Sequence, residues 1–178
     1  MKYFVYAICI IIFAGLQAAL FTELPIWRVA PNLLMLFTIF VAAKSEGYEF
    51  VFVALIAGIF SDMMTGLPAG SFMLGYVLLG LIVNAVFNWL ITLNFDWKYV
   101  PAAALGGVAL LQIWLFGFAQ LAQRVAANAV TVDITTALSR ILPLLFVTAL
   151  AMYPMYWFSD SLVQFLKRFE MRKKGVGV

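Results

Sequence analysis

Histidine is absent from this chain, cysteine occurs once, and charged side chains make up only 11% of its 178 residues. Without histidine and with a single thiol, the usual ligand sets of zinc and haem cannot be assembled, so no metal and no cofactor is expected. The lone Cys9 has no disulfide partner within the chain, and inside an apolar run it reads as a small buried or lipid-facing residue. A glycine-rich phosphate loop, a paired-carboxylate motif and metal-ligand spacing are also missing, and no histidine stands ready to serve serine or threonine as a base. These absences argue against an enzyme. The scarcity of charge bears on the fold as well, because a soluble domain carries about 25% charged residues.

What fills the chain is apolar: 66% of it is hydrophobic, and its mean hydropathy is +1.06. No soluble core of this length could bury two thirds of the chain, and no polar stretch is long enough to fold alone. The expected fold class is all-α, a polytopic helical membrane bundle forming a single domain over residues 1–178. Six spans are expected, at about residues 3–21, 29–43, 50–64, 71–93, 99–121 and 141–166, with a basic tail at 167–178. The first apolar run exceeds the roughly 7–15 residues of a signal-peptide core, so it reads as a span. It carries the small pairs Ala14/Ala18 and Gly15/Ala19 at a spacing of four. Pro31 and Asn32 open the second run, whose apolar part is short for a crossing unless it tilts, recruits flanking residues or re-enters. In the fourth, Asn84 and Asn88 share one helix face and suit bonds between helices. Residues 124–140 form the longest polar connection, and Pro143 and Pro154 predict a bend in the last span.

The stretch from Ala57 to Ile82 stands out. Asp62 lies there between two apolar runs, and Ala54, Gly58, Asp62, Gly66 and Gly70 recur at steps of four, with Gly75 in the helix that follows. Pro68 interrupts the pattern, so the shape expected is helix, tight turn, helix. Small residues let helices approach closely where association depends on packing. An acid there is costly against lipid and should face protein or water. Three roles for Asp62 stay open: capping or closing the turn, meeting a partner helix, and handling a proton or solute. Asp160, near the end of the last span, is expected to neutralise Lys167 or Arg168.

The net charge of +3 comes from the tail, where Lys167, Arg168, Arg172, Lys173 and Lys174 follow the last span directly. That pattern points to contact with anionic lipid and gives no reason to invoke nucleic acid. With six spans, placing both termini in the cytoplasm puts eight basic residues inside and leaves only Arg28, Arg124 and Arg140 outside. The positive-inside bias therefore selects that orientation, with Asp62 and Pro68 toward the outer face.

Taken together, Pro31-Asn32-Leu33-Leu34-Met35-Leu36, the run Gly58 to Tyr76 and the closing Pro143-Leu144-Leu145-Phe146 helix with its basic tail resemble the rod-shape-determining MreD family. That family often has Pro-Asp where this chain has Pro31-Asn32; the amide can still cap a helix but carries no charge. The resemblance implies a non-enzymatic scaffold in the bacterial inner membrane. It would bind the single-span MreC protein and help couple MreB filaments to wall-synthesising enzymes, with no tightly bound small molecule. It also implies a partner or structural motif at Pro31, Asn32, Gly58, Asp62, Gly66, Pro68, Gly70 and Gly75, and a lipid-facing tail. Six spans in this length are similar, too, to the substrate-binding S-components of energy-coupling-factor vitamin transporters. The competing reading is such a subunit, with a cavity lined by residues such as Asn84, Asn88, Gln112, Gln120 and Asn128.

Overall fold

The structure is a computed structural model and describes residues 2–23, 31–45, 47–65, 68–90, 105–115, 117 and 134–173. Among these residues every regular element is a helix: α1 (Lys2–Glu23), α2 (Leu33–Lys44), α3 (Glu49–Thr65), α4 (Ser71–Leu90), α5 (Leu105–Leu115) and α6 (Ile134–Lys173). Two of them hold a stretch long and apolar enough to cross a membrane, Lys2–Ala19 and Ser71–Asn88, while α2 and α5 are shorter apolar helices.

The bundle is arranged around α2. Its sequence, LLMLFTIFVAAK, has no polar face beyond Thr38, and a helix that is apolar all round belongs in the interior. Every residue from Leu33 to Ala42 is buried, and α1, α3, α4 and α6 pack against it. Gly107 of α5 reaches it as well, because a Cβ there would stand 2.6 Å from Ile39 Cδ1. Aromatic rings fill the seams. Phe37 meets Tyr6 and Phe13 of α1, Phe40 meets Tyr156 of α6, and Phe13 meets Phe158 edge-on at 5.3 Å.

With 12 residues, α2 is about 18 Å long, well below the roughly 30 Å of a hydrocarbon core. It does not need membrane length, because its neighbours separate it from lipid. The polar groups at its ends are met by side chains. Asn32 is the N-cap, its Oδ1 accepting from Met35 N at 3.0 Å, and Gln17 Oε1 of α1 accepts from Leu34 N at 3.3 Å. At the other end Asn84 of α4 donates to the carbonyls of Ala42 and Ser45, at 2.9 and 3.2 Å. Thr38 returns its hydroxyl proton to Leu34 O at 2.9 Å, so the one polar side chain in mid-helix is also satisfied.

Several expectations are corrected. Pro31 precedes α2 and does not form its first turn; the helix opens after the Asn32 cap. Residues 134–140, expected to be polar connection, are the first turns of the 40-residue α6, which continues through both Pro143 and Pro154. Asp160 pairs with Lys44 of α2, and Gln164 donates to its second oxygen at 2.8 Å; the Lys167 side chain, expected to neutralise it, lies outside what the structure describes. The Lys44 ammonium also sits 4.9 Å from the centre of the Tyr156 ring, so α2 is tied to α6 at that end by charge and by cation–π attraction. Gln120, Asn128 and the outer parts of the expected fifth span lie outside the described residues.

Replacing Asn84 with alanine removes both bonds to the C-terminal end of α2. The expected cost is about 1 kcal/mol, read as a lower unfolding temperature in detergent. Asn88→Ala is the control: this exposed residue bonds only back to Asn84, and its loss is expected to cost little.

Candidate functional site

The turn between α3 and α4 is held from one side by Asp62. Ser71 N donates to Pro68 O at 3.2 Å, closing a four-residue turn whose third member, Gly70, has a φ of +95°. Only glycine takes that conformation without strain, which accounts for Gly70 there. The first bond of α4 runs from Leu74 N to Gly70 O, so Gly70 is also the N-cap, and it has no side chain to serve the free N–H groups. Asp62, in the last turn of α3, supplies what glycine lacks. Its Oδ2 accepts from Gly70 N at 2.9 Å and its Oδ1 from Phe72 N at 2.8 Å. The positive end of the α4 dipole favours the carboxylate in that place. Ser71 Oγ donates to Pro68 O at 2.6 Å and braces the same turn.

One residue before Asp62, Ser61 enters a polar chain that links three helices. The Tyr76 hydroxyl, fully buried, donates to Asn32 Oδ1 at 2.7 Å. That uses its only proton, so Ser61 Oγ, 3.0 Å away, is the donor to Tyr76. Asn32 Oδ1 thus accepts from its own helix and from α4, and α2, α3 and α4 are joined at one point.

The glycines set how close these helices lie. A Cβ on Gly58 would fall 2.3 Å from Met73 Cα and 2.8 Å from Met73 N, so the α4 backbone already occupies the space beside it. Gly58 therefore serves an intrachain contact and is not open to a partner helix. Gly75 makes room for Trp114 of α5, whose ring would lie 2.7 Å from an added Cβ and whose Nε1 donates to Ser71 O at 2.9 Å. Of the other residues picked out in the sequence, Pro31 is buried beside this cluster and Pro68 is exposed in the turn. Gly66 and Lys174 lie outside the described residues. Lys167, Arg168, Arg172 and Lys173 continue α6 beyond the Lys44–Asp160 pair, away from the Asp62 turn, with Arg168 exposed.

Beside this cluster is a cavity of about 140 Å³. Its polar lining comes from Gln17, Asn32, Ser61, Thr65, Gln112 and Thr148, and Met35, Phe72, Leu111 and Leu144 are among its apolar walls. Among the described residues no group of three or more histidine, cysteine, aspartate or glutamate side chains converges as a metal site would require. Sequence reasoning missed Tyr76, Ser61, Gln17, Trp114 and Thr148. A faint signal existed for Tyr76 and Trp114, since a buried phenol or indole needs a hydrogen-bond partner.

Removing the Asp62 carboxylate leaves two N–H groups of α4 without an acceptor. Asp62→Ala is expected to cost about 2 kcal/mol and Asp62→Asn roughly half of that, since the amide keeps one acceptor; thermal melts of both variants check the order. Glycine substitutions should separate by what the new methyl meets. Against the rigid α4 backbone, Gly58→Ala is expected to cost about 3 kcal/mol, whereas Gly75→Ala meets a ring that can shift and should cost about 1 kcal/mol.

Comparison with curated proteins and with solved structures finds no match. A family model does match, covering residues 1–166, and with nearly the whole length included the chain belongs to the family of the rod shape-determining protein MreD.

Proposed function

We propose that this chain is a non-enzymatic scaffold of the wall-elongation machinery, crossing the inner membrane six times with both termini in the cytoplasm. Family membership carries this reading, because the family is one of membrane proteins that determine rod shape. On this proposal the chain binds single-span MreC and so helps couple MreB filaments on the inside to wall-synthesising enzymes on the outside. The basic residues at the end of α6 would rest on the anionic inner leaflet.

Two observations support a scaffold over chemistry. Both oxygens of Asp62 are engaged by backbone N–H groups of a helix start, which gives the carboxylate a structural task. The cavity, at about 140 Å³, is also smaller than the roughly 300–1,000 Å³ usual for a site holding a vitamin-sized ligand. That weighs against this cavity as the vitamin site of a transporter S-component.

Since Gly58 is covered by α4 and Gly70 belongs to a turn, the partner helix is assigned to α1. There Gly15 and Ala19 are exposed four residues apart, and a Cβ on Gly15 would meet nothing within 4 Å. The aliphatic residues Ile8, Ile11, Ile12 and Leu16 beside them are exposed too. Such a face admits a second helix at short range.

The test is affinity purification of the tagged chain from its native membrane in mild detergent. Recovery of a single-span periplasmic protein with wall-synthesis enzymes is expected, and Gly15→Leu should reduce that recovery several-fold while leaving the melting temperature unchanged. Recovery of ATPases with a transmembrane coupling subunit would overturn the scaffold reading.

A further inference from the structure

The cavity beside the N-terminus of α2 is not explained by scaffolding alone. Its lining combines amide and hydroxyl side chains from α1, α3, α5, α6 and the cap of α2 with apolar ones, and none of its described lining residues is charged. Thr148 of α6 is one of the lining residues. It is 1% exposed, and its hydroxyl has no hydrogen-bond partner. A hydroxyl left unpaired in a buried site costs about 1–3 kcal/mol. The Leu144 carbonyl one turn earlier is the usual local acceptor for such a group, yet Thr148 does not use it.

We propose that this cavity binds an uncharged, glycerol-like polyol, either as a free molecule or as the terminal headgroup of a lipid. Three features select that chemistry. The absence of charge from the described lining residues disfavours phosphate, carboxylate and ammonium groups, which need a counter-charge when desolvated. Hydroxyls donate and accept and can rotate to suit, so a polyol matches a mixed lining of amides and hydroxyls, Thr148 included. The volume equals that of about four or five liquid waters, yet each buried water wants about three polar partners, and half of the described lining residues are apolar. A three-carbon polyol sets its C–H groups against the apolar side chains and its oxygens against the polar ones. Thr65, which lines the cavity and is exposed, lies where such a molecule enters.

The binding expected of so small a ligand is weak, on the order of millimolar, and does not depend on the chain's protein partners. The test uses the full chain in phosphatidylcholine nanodiscs, which bring no polyol of their own, with glycerol as the probe read by saturation-transfer NMR. Saturable binding is expected. In both Thr148→Val and Gln112→Leu it should weaken roughly tenfold, as the loss of one buried hydrogen bond predicts, while both variants keep the wild-type melting temperature or exceed it. Adding phosphatidylglycerol to the nanodisc distinguishes the two sources. Competition with glycerol assigns the site to a lipid headgroup, and unchanged glycerol binding assigns it to the free polyol. Absence of saturable glycerol binding together with no selective retention of phosphatidylglycerol would overturn the proposal, and so would equal binding by wild type and both variants. Either failure leaves the scaffold reading intact, since that rests on which proteins co-purify.

Discussion

The arrangement depends on one constraint: a helix of 12 residues, about 18 Å, placed at the centre of a bundle and packed by the longer α1, α3, α4 and α6. Its terminal N–H and C=O groups have no partners within the helix and are met by side chains of the surrounding protein. Asn32 and Gln17 serve one end, and Asn84 serves the other. Each of these polar residues comes from a position that would otherwise be costly in an apolar setting. The same demand explains why α2 can be apolar all round. Its polar requirements are confined to its ends, and its sides are left entirely to packing.

At the Asn32 end, the partners of α2 are themselves fixed by a second device. Asp62 holds the start of α4 against the end of α3, and Gly58 lets the two backbones approach until no methyl group would fit between them. Tyr76 is thereby carried to within 2.7 Å of Asn32 and 3.0 Å of Ser61. Capping, close packing and the buried polar chain are therefore coupled. A change at Gly58 would move Tyr76, and with it the cap of the central helix. Coupling of this kind favours a single rigid arrangement.

Much of this could be read in the sequence, and the parts that could not share a physical reason. Apolar runs announce helices, and an acid followed by proline and glycine announces a turn, because both signals are local. The steps of four that mark Gly58 are equally legible, yet they say only that something comes close. Whether that is the chain's own next helix or another protein depends on which way the face turns, and the period does not encode it. Asp160 illustrates the same limit. Its ion pair with Lys44 spans 116 positions of sequence and comes from how α2 and α6 pack. The short second run looked doubtful as a span because length was judged against lipid, when its surroundings turned out to be protein.

The two ends of α2 differ in kind. At the Lys44 end the tie to α6 is an ion pair, half-buried and reinforced by an aromatic ring, next to the basic end of the chain. At the Asn32 end the ties are neutral hydrogen bonds beside a cavity whose described lining residues carry no charge. The ion pair holds by charge, whereas the neutral network fixes its geometry by the direction of its hydrogen bonds. Asp62 is consistent with this division, because its two bonds to N–H groups and the dipole of α4 keep its charge compensated beside the neutral cavity. The dissimilarity of the two ends of α2 follows from which side chains complete them.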